Sequence, residues 1–419
     1  MLKYIRENPE LVRKNIANKN ESANIEPILQ LDEKRRAIIG EVEKLKNQRN
    51  VASNAISQMK KSGENADAQI ADMKEVSDKI KAYDEELRQI ELQLDELVLF
   101  IPNLAHESVP VGKTPEDNAL IRQWGEIKEQ ELKQDHMKTA KELGIIDFER
   151  AAKVSGSGFA YYTGRGATLE RALINFFLES NTSRGYKEIM TPFIVNTEAM
   201  VGTGQIPKLA EDMYLAEKDG LYLIPTAEVP ITNFHSKETL KVEDLPIKYC
   251  GYSPCFRREA GSYGKDTRGL LRVHQFNKVE LVKFVEPQNS YNELELLVAD
   301  VEQLLKALKL TYRVILLCTG DTSFGSAKTY DLEVWSPAEQ KWLEVSSCTN
   351  FEAFQAKRAG MKYKPTPNSK PEYVHTLNGS ALATPRIMVA ILDNYLQADG
   401  SLLVPDVLQK YCGFDRITK

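Results

Sequence analysis

The chain has 419 residues, 42% of them hydrophobic and 27% charged, which is too long for one ordinary domain and excludes a collagenous or wholly disordered protein. Lys and Arg total 55 against 60 Asp and Glu, and the resulting net charge of −5 argues against a uniformly basic nucleic-acid binder. No apolar run approaches the ~18 residues of a membrane helix, and the opening MLKYIRENPELVRKN has no apolar signal core. The five cysteines (Cys250, Cys255, Cys318, Cys348, Cys412) are odd in number and form no CxxC pair. They fit a reduced, cytoplasmic protein with neither a disulfide framework nor a zinc site, and no membrane partner is expected.

Residues 26–100 carry two heptad runs. In the first, Leu31, Arg35, Ile38, Val42, Leu45, Arg49, Ala52, Ile56 and Met59 alternate by four and three, with only the two arginines breaking the apolar pattern. In the second, Met73, Val76, Ile80, Tyr83, Leu87, Ile90, Leu94 and Leu97 alternate without a break. The segment KSGEN (61–65) supplies a turn between them. Each seam needs a partner, so the pattern predicts an antiparallel coiled-coil hairpin, a rod roughly 50 Å long at ~1.5 Å per residue. Its charges are segregated. Residues 26–62 hold 8 basic and 5 acidic side chains, whereas residues 63–100 hold 4 basic and 11 acidic. Such a pattern suits cross-helix pairing, or a basic helix laid against a polyanion.

The Pro-bearing connector IPNLAHESVPVGKTPEDN (101–118) marks the expected boundary, giving an N-terminal domain over 1–118 and a second over 119–419. The second has long amphipathic helical patterns at 168–185 and 291–310. Among them lie strand-like runs: LYLIP (221–225), KVELVKFV (278–285), YRVILLC (312–318), TYDLEVW (329–335) and KWLEVSS (341–347). Most alternate in polarity and do not follow strict βαβα order. The fold class is therefore α+β, a mainly antiparallel sheet flanked by helices. No Walker or Rossmann glycine loop is present, so a bound nucleotide must be held by side chains.

The densest chemical signal is FRREAGSYGKDTRGLLRVHQFNKVEL (256–281). It sets Arg257, Arg258, Lys265, Arg268 and Arg272 against Glu259 and Asp266. A glycine-bearing loop, AGSYGKDTRG (260–269), separates two strands, and Phe276 and Glu280 follow it. Guanidinium groups fork to phosphate oxygens and an aromatic face stacks on a purine, so this hairpin can clamp a nucleotide.

This hairpin resembles motif 2 of the class II aminoacyl-tRNA synthetases, and the details resemble the seryl-tRNA synthetase family over essentially the whole chain. The helix at 168–184 leading into RGYKEIMTPFIV (184–195), with Pro192, is similar to motif 1. GTGQ (202–205), LIPTAEVPITN (223–233), EVSSCTNFEAFQAKR (344–358) and VHTLNGSALATPRIMVAILDNY (374–395) follow in the family's order, the last looking like motif 3. The resemblance implies a homodimeric enzyme that activates L-serine with ATP and transfers it to the terminal ribose of tRNA(Ser), with tRNA(Sec) a second candidate. It assigns catalytic roles to Arg257 and Arg386. ATP is expected at Arg257, Arg258, Glu259, Val273, Phe276, Glu344, Val345, Ser346, Ser347 and Arg386, with Mg2+ on Glu344 and Ser347. Serine is expected at Thr226, Ala227, Glu228, Arg257, Glu280, Asn378 and Ser380. His274 is expected to be structural. Pro385 stands where the family more often has glycine, which stiffens the backbone ahead of Arg386 and removes a donor.

Two other readings use the same core. A ligase that charges a carrier protein would lack the long arm. A catalytically inactive RNA-binding paralogue would have lost Arg257, Glu259, Glu280, Glu344 or Arg386, all of which are present.

Overall fold

The computed structural model describes residues 1–127, 134–260 and 268–419. The chain divides into Met1–Pro102 and Asn103–Lys419. This division precedes the boundary expected at 118, because the connector packs as part of the second unit. The Asn103 amide donates to the carbonyls of Gly325 and Phe351 at 2.9 and 2.8 Å, and Asn118 accepts from the Cys318 amide at 2.8 Å. Proline-rich sequence marks a change of path here, not a free linker.

In the first unit, α1 (Glu26–Ser62) and α2 (Asp67–Val98) form the predicted hairpin. Ile38 and Val42 of α1 and Val76, Ile80, Ile90 and Leu94 of α2 are buried along the seam. The turn forms where KSGEN predicted it. Gly63 takes φ +78, a conformation that costs glycine no Cβ clash, and its amide bonds to the Met59 carbonyl. Asn65 then accepts from the Asp67 amide at 2.8 Å and opens the second helix. Part of the segregated charge is spent across the seam, in the pairs Lys34–Glu86, Arg35–Glu91 and Lys46–Asp84. Among the described residues, Arg49, Lys60 and Lys61 form no ion pair.

The second unit is built on one eight-stranded sheet. In chain order its parts are β1 (Ala119–Trp124), α3 (Gly164–Thr182), β2 (Lys187–Glu188), α4 (Glu228–Asn233), β3 (Ile247–Phe256), β4 (Gln275–Val285), α5 (Ser290–Ala307), β5 (Tyr312–Leu316), β6 (Lys328–Ser336), β7 (Lys341–Glu352), β8 (His375–Ala383) and α6 (Thr384–Asn394). The strand order is β1-β5-β6-β7-β8-β4-β3-β2, antiparallel throughout except for the last pair. LYLIP is the exception among the predicted strands: Leu221–Leu223 joins a separate three-stranded sheet.

Period-two alternation sorts the two faces of the large sheet. Val279 and Leu281 of β4, Val345 and Cys348 of β7 and Leu377 of β8 bury against α3, α5 and α6 in one core. Glu280 pairs with Ser380, Thr349 with Asn378, and Asp331 with Ser347, all on the opposite face. The helices thus fix one face, and the polar side chains project from the other.

Candidate active site

Thr226, Glu228, Lys278 and Glu280 form a buried polar cluster. Lys278 Nζ lies 2.6 Å from Glu280 Oε2 and donates to Thr226 Oγ1 at 2.8 Å. The Glu228 amide also donates to Thr226 Oγ1, at 3.2 Å. Gln355 Nε2 donates to Glu228 Oε1 at 2.6 Å and is itself oriented by Thr376, whose hydroxyl donates to Gln355 Oε1 at 2.7 Å. Burial pushes the Glu228 carboxyl up to about 7, and the neighbouring Glu280 adds to this while Lys278 opposes it. Asn378 and Ser380 lie on the same sheet face through the pairing of β8 with β4 and β7. Ala227 is fully buried in an apolar cluster, so its side chain only spaces Thr226 from Glu228.

Arg257 follows the end of β3. Its Nε donates to the Pro225 carbonyl at 3.2 Å, and its guanidinium sits 5.2 Å from the centre of the Phe276 ring. The hairpin base is closed by His274, whose Nδ1 donates to the Arg257 carbonyl at 3.0 Å while its own carbonyl accepts from the Arg257 amide. Asp212 adds a clamp that the sequence did not reveal: its carbonyl accepts from Arg258 at 2.8 Å and its carboxylate from Ala260 at 2.9 Å. Glu259 adopts φ +51, uncommon for a residue with a Cβ, and pairs with Arg272 Nε at 2.6 Å. Val273 is buried beside them. Most of the expected loop, AGSYGKDTRG, lies outside the described residues.

Arg386 of α6 joins this hairpin to β7. Its Nη1 donates to the Glu344 carbonyl at 2.7 Å and lies 3.4 Å from the Glu344 carboxylate, while Nε donates to the Leu271 carbonyl at 3.4 Å. Pro385 falls in the first turn of the helix, where no intrahelical amide donor is required. The lost donor expected at this position therefore costs nothing.

Glu344 and Ser347 line a cavity of about 420 Å³ with Asn118, Asp321, Asp331 and Glu333. Burial, then Glu344, pushes Asp331 well above the usual carboxylate range. Two members of the expected ATP segment turn away from this cavity. Val345 packs in the helical core, and buried Ser346 donates to the Ser380 carbonyl at 2.6 Å. Their side chains do not join the site, because the register shift between Leu332 and Glu333 leaves Val345 as an extra residue in β7 and turns both inward.

Glu170 of α3 was also missed. It accepts from Asn277 at 2.9 Å and from Thr384, joining the motif 1 helix to β4 and to the start of α6. The signal for Lys278 was available, since it stands two residues before Glu280 on one strand and so shares its face. Nothing in the sequence linked Gln355 to Glu228.

Comparison with known proteins agrees with this fold. Residues 213–395 match the tRNA synthetase class II core domain (G, H, P, S and T), and residues 2–105 match the seryl-tRNA synthetase N-terminal domain. A serine–tRNA ligase from Chloroherpeton thalassium is 53% identical over 424 residues, covering 99% of each chain. One from Carboxydothermus hydrogenoformans is 52% identical over 420 residues, covering 100% of this chain and 99% of the relative. The crystal structure of seryl-tRNA synthetase from Pyrococcus horikoshii complexed with ATP superimposes with TM-score 0.94 at 37% identity, over 100% of this chain and 99% of that one. With two family descriptions matched in order and relatives aligned end to end, the chain belongs to the seryl-tRNA synthetase family of class II aminoacyl-tRNA ligases.

Proposed function

We propose that this protein is a serine–tRNA ligase that works in two steps on one face of the sheet. A serine carboxylate oxygen attacks the α-phosphorus of ATP, the bond to the β-phosphate breaks, and pyrophosphate leaves. A ribose hydroxyl at the tRNA terminus then attacks the seryl carbonyl and AMP leaves. The first nucleophile is already anionic, so catalysis rests on positioning and on neutralising phosphate charge.

Arg257 bridges the serine carboxylate and the α-phosphate, and Arg386 meets the distal phosphate. Phe276 offers a face to adenine, whose amino group is read by Glu259 beside the Val273 backbone. Arg258 adds positive charge at the hairpin. Serine lies among Thr226, Glu228, Glu280, Asn378 and Ser380. The observation that carries this reading is the buried Thr226–Glu228–Lys278–Glu280 cluster on the face that also carries Glu344 and Ser347. A pocket of this kind suits a small amino acid with both an ammonium and a hydroxyl.

Glu344 and Ser347 present hard oxygens suited to Mg2+. Among the described residues no group of three or more His, Cys, Asp or Glu side chains could hold a metal, and phosphate oxygens and water would complete the ion's shell. When bound, Mg2+ supplies charge neutralisation at the phosphates.

The tRNA partner is met by the arm, where Arg49, Lys60 and Lys61 keep charge free of ion pairing among the described residues. Both tRNA(Ser) and tRNA(Sec) are proposed substrates. A homodimer forms through 184–195, where Met190 and Ile194 are 85% and 48% exposed on either side of Pro192. The site of action is the cytoplasm; among the described residues no helix is long and apolar enough to cross a membrane. Charging of the two tRNA transcripts with labelled serine tests the reading. Absence of serine incorporation into tRNA(Ser) would overturn it.

A further inference from the structure

We propose that Lys278 is a specificity-determining positioning residue: it holds Glu280 in one orientation as the acceptor for the substrate hydroxyl. The inference rests on the serine reading above and extends it to a residue that reading leaves without a role.

Lys278 is 8% exposed and Glu280 1%, so the two charges are out of bulk water and need each other. Lys278 Nζ takes Glu280 Oε2 at 2.6 Å, and the Thr226 hydroxyl lies 3.5 Å from the same oxygen. Among the described residues no donor is bonded to Glu280 Oε1. One carboxylate oxygen is therefore anchored and the other is left to accept.

The same ammonium decides what Thr226 can do. Its oxygen already accepts from Lys278 at 2.8 Å and from the Glu228 amide at 3.2 Å. A hydroxyl has two lone pairs and one hydrogen, and that hydrogen is directed at Glu280 Oε2, 3.5 Å away, so Thr226 is fully engaged within the cluster. Lys278 and Thr226 thus both hold Oε2, and Glu280 Oε1 is the fixed acceptor to which a primary hydroxyl can donate.

Charge points the same way. Glu228 and Glu280 sit close enough that Glu280 raises the proton affinity of Glu228, and Lys278 opposes that effect. Without the ammonium, the two buried carboxylates repel each other, and Glu280 either turns away or takes up a proton. In both cases it stops being a defined acceptor, and the preference for a hydroxyl over a hydrogen weakens.

The test compares full-length wild type with Lys278→Met, measuring amino-acid-dependent pyrophosphate exchange with serine and with alanine. Circular dichroism checks the fold. Lys278→Gln, which keeps a donor but not the charge, is the second variant and decides the matter if Lys278→Met does not fold. The expected result is that kcat/KM for serine falls about tenfold or more relative to that for alanine. Serine KM should rise while ATP KM is unchanged. A purely structural role would lower both amino acids in proportion, so an unchanged serine-to-alanine ratio in a folded variant overturns the inference. Wild type that activates no serine would overturn the underlying reading instead, and this inference with it.

Discussion

Gln355 donates to Glu228 at 2.6 Å while Thr376 donates to Gln355 at 2.7 Å, so the orientation of a buried carboxylate is fixed from two residues away. In the proposed serine site, the Glu228 carboxyl, pushed up to about 7 by burial, has to be ionised to pair with the substrate ammonium. Serine kcat/KM should therefore be low below pH 7 and rise through about 7 to a plateau. Linkage gives the opposite sign for stability. With its folded pKa above the ordinary 4.5, Glu228 favours the fold fully below about 4.5, and that contribution is lost as pH rises through about 7. Glu228→Gln should flatten the serine profile; a wild-type step retained in that variant would assign the titration elsewhere.

Arg257 lies over Phe276 with its Nε tied to the Pro225 carbonyl, a preorganised cation at the proposed site of adenylate formation. Replacing it with alanine should lower serine-dependent exchange by about 10²–10³-fold, the usual loss of a preorganised charge at a developing anion. Near wild-type exchange in a folded variant would remove Arg257 from the mechanism.

The arm should matter for tRNA and not for adenylate formation. Changing Lys60 and Lys61 together to Glu should leave pyrophosphate exchange unchanged and raise the KM for tRNA. The salt dependence of tRNA binding should become shallower by about one unit per lost phosphate contact. Equal tRNA charging by that variant would place the RNA contact away from the hairpin end of the first helix.

Pro385 in the first turn of its helix is preset for helical φ. Substitution by glycine should destabilise the protein by about 1 kcal/mol through the unfolded chain while leaving ATP KM unchanged, read by urea unfolding and by exchange kinetics. A large rise in ATP KM would show instead that the proline shapes the Arg386 site.

What the sequence made legible follows from the range over which its signals act. The seam through Ile38, Val42, Val76 and Ile80 could be read directly, because a heptad repeat is a local property and each seam must be buried. The positions of Arg257, Glu280 and Arg386 came through family resemblance in ordered motifs. Pairings set by strand order were out of reach. Lys278 meets Thr226 across 52 positions and Gln355 meets Glu228 across 127, and neither contact leaves a periodic trace. Bulges also defeat simple alternation. The register shift between Leu332 and Glu333 against β7 decides that Glu344 shares a cavity with Ser347 while Val345 and Ser346 turn inward. The division falls inside the connector, but how the connector packs was out of reach for a related reason: Asn103 is held by carbonyls of Gly325 and Phe351, more than 200 positions away.

The most direct test of the central claim is ATP–pyrophosphate exchange by the full-length protein, assayed with each of the twenty amino acids in turn. The account predicts robust exchange with serine and rates lower by orders of magnitude with alanine and threonine. Exchange that is equal or stronger with another amino acid, or none with serine, would contradict it.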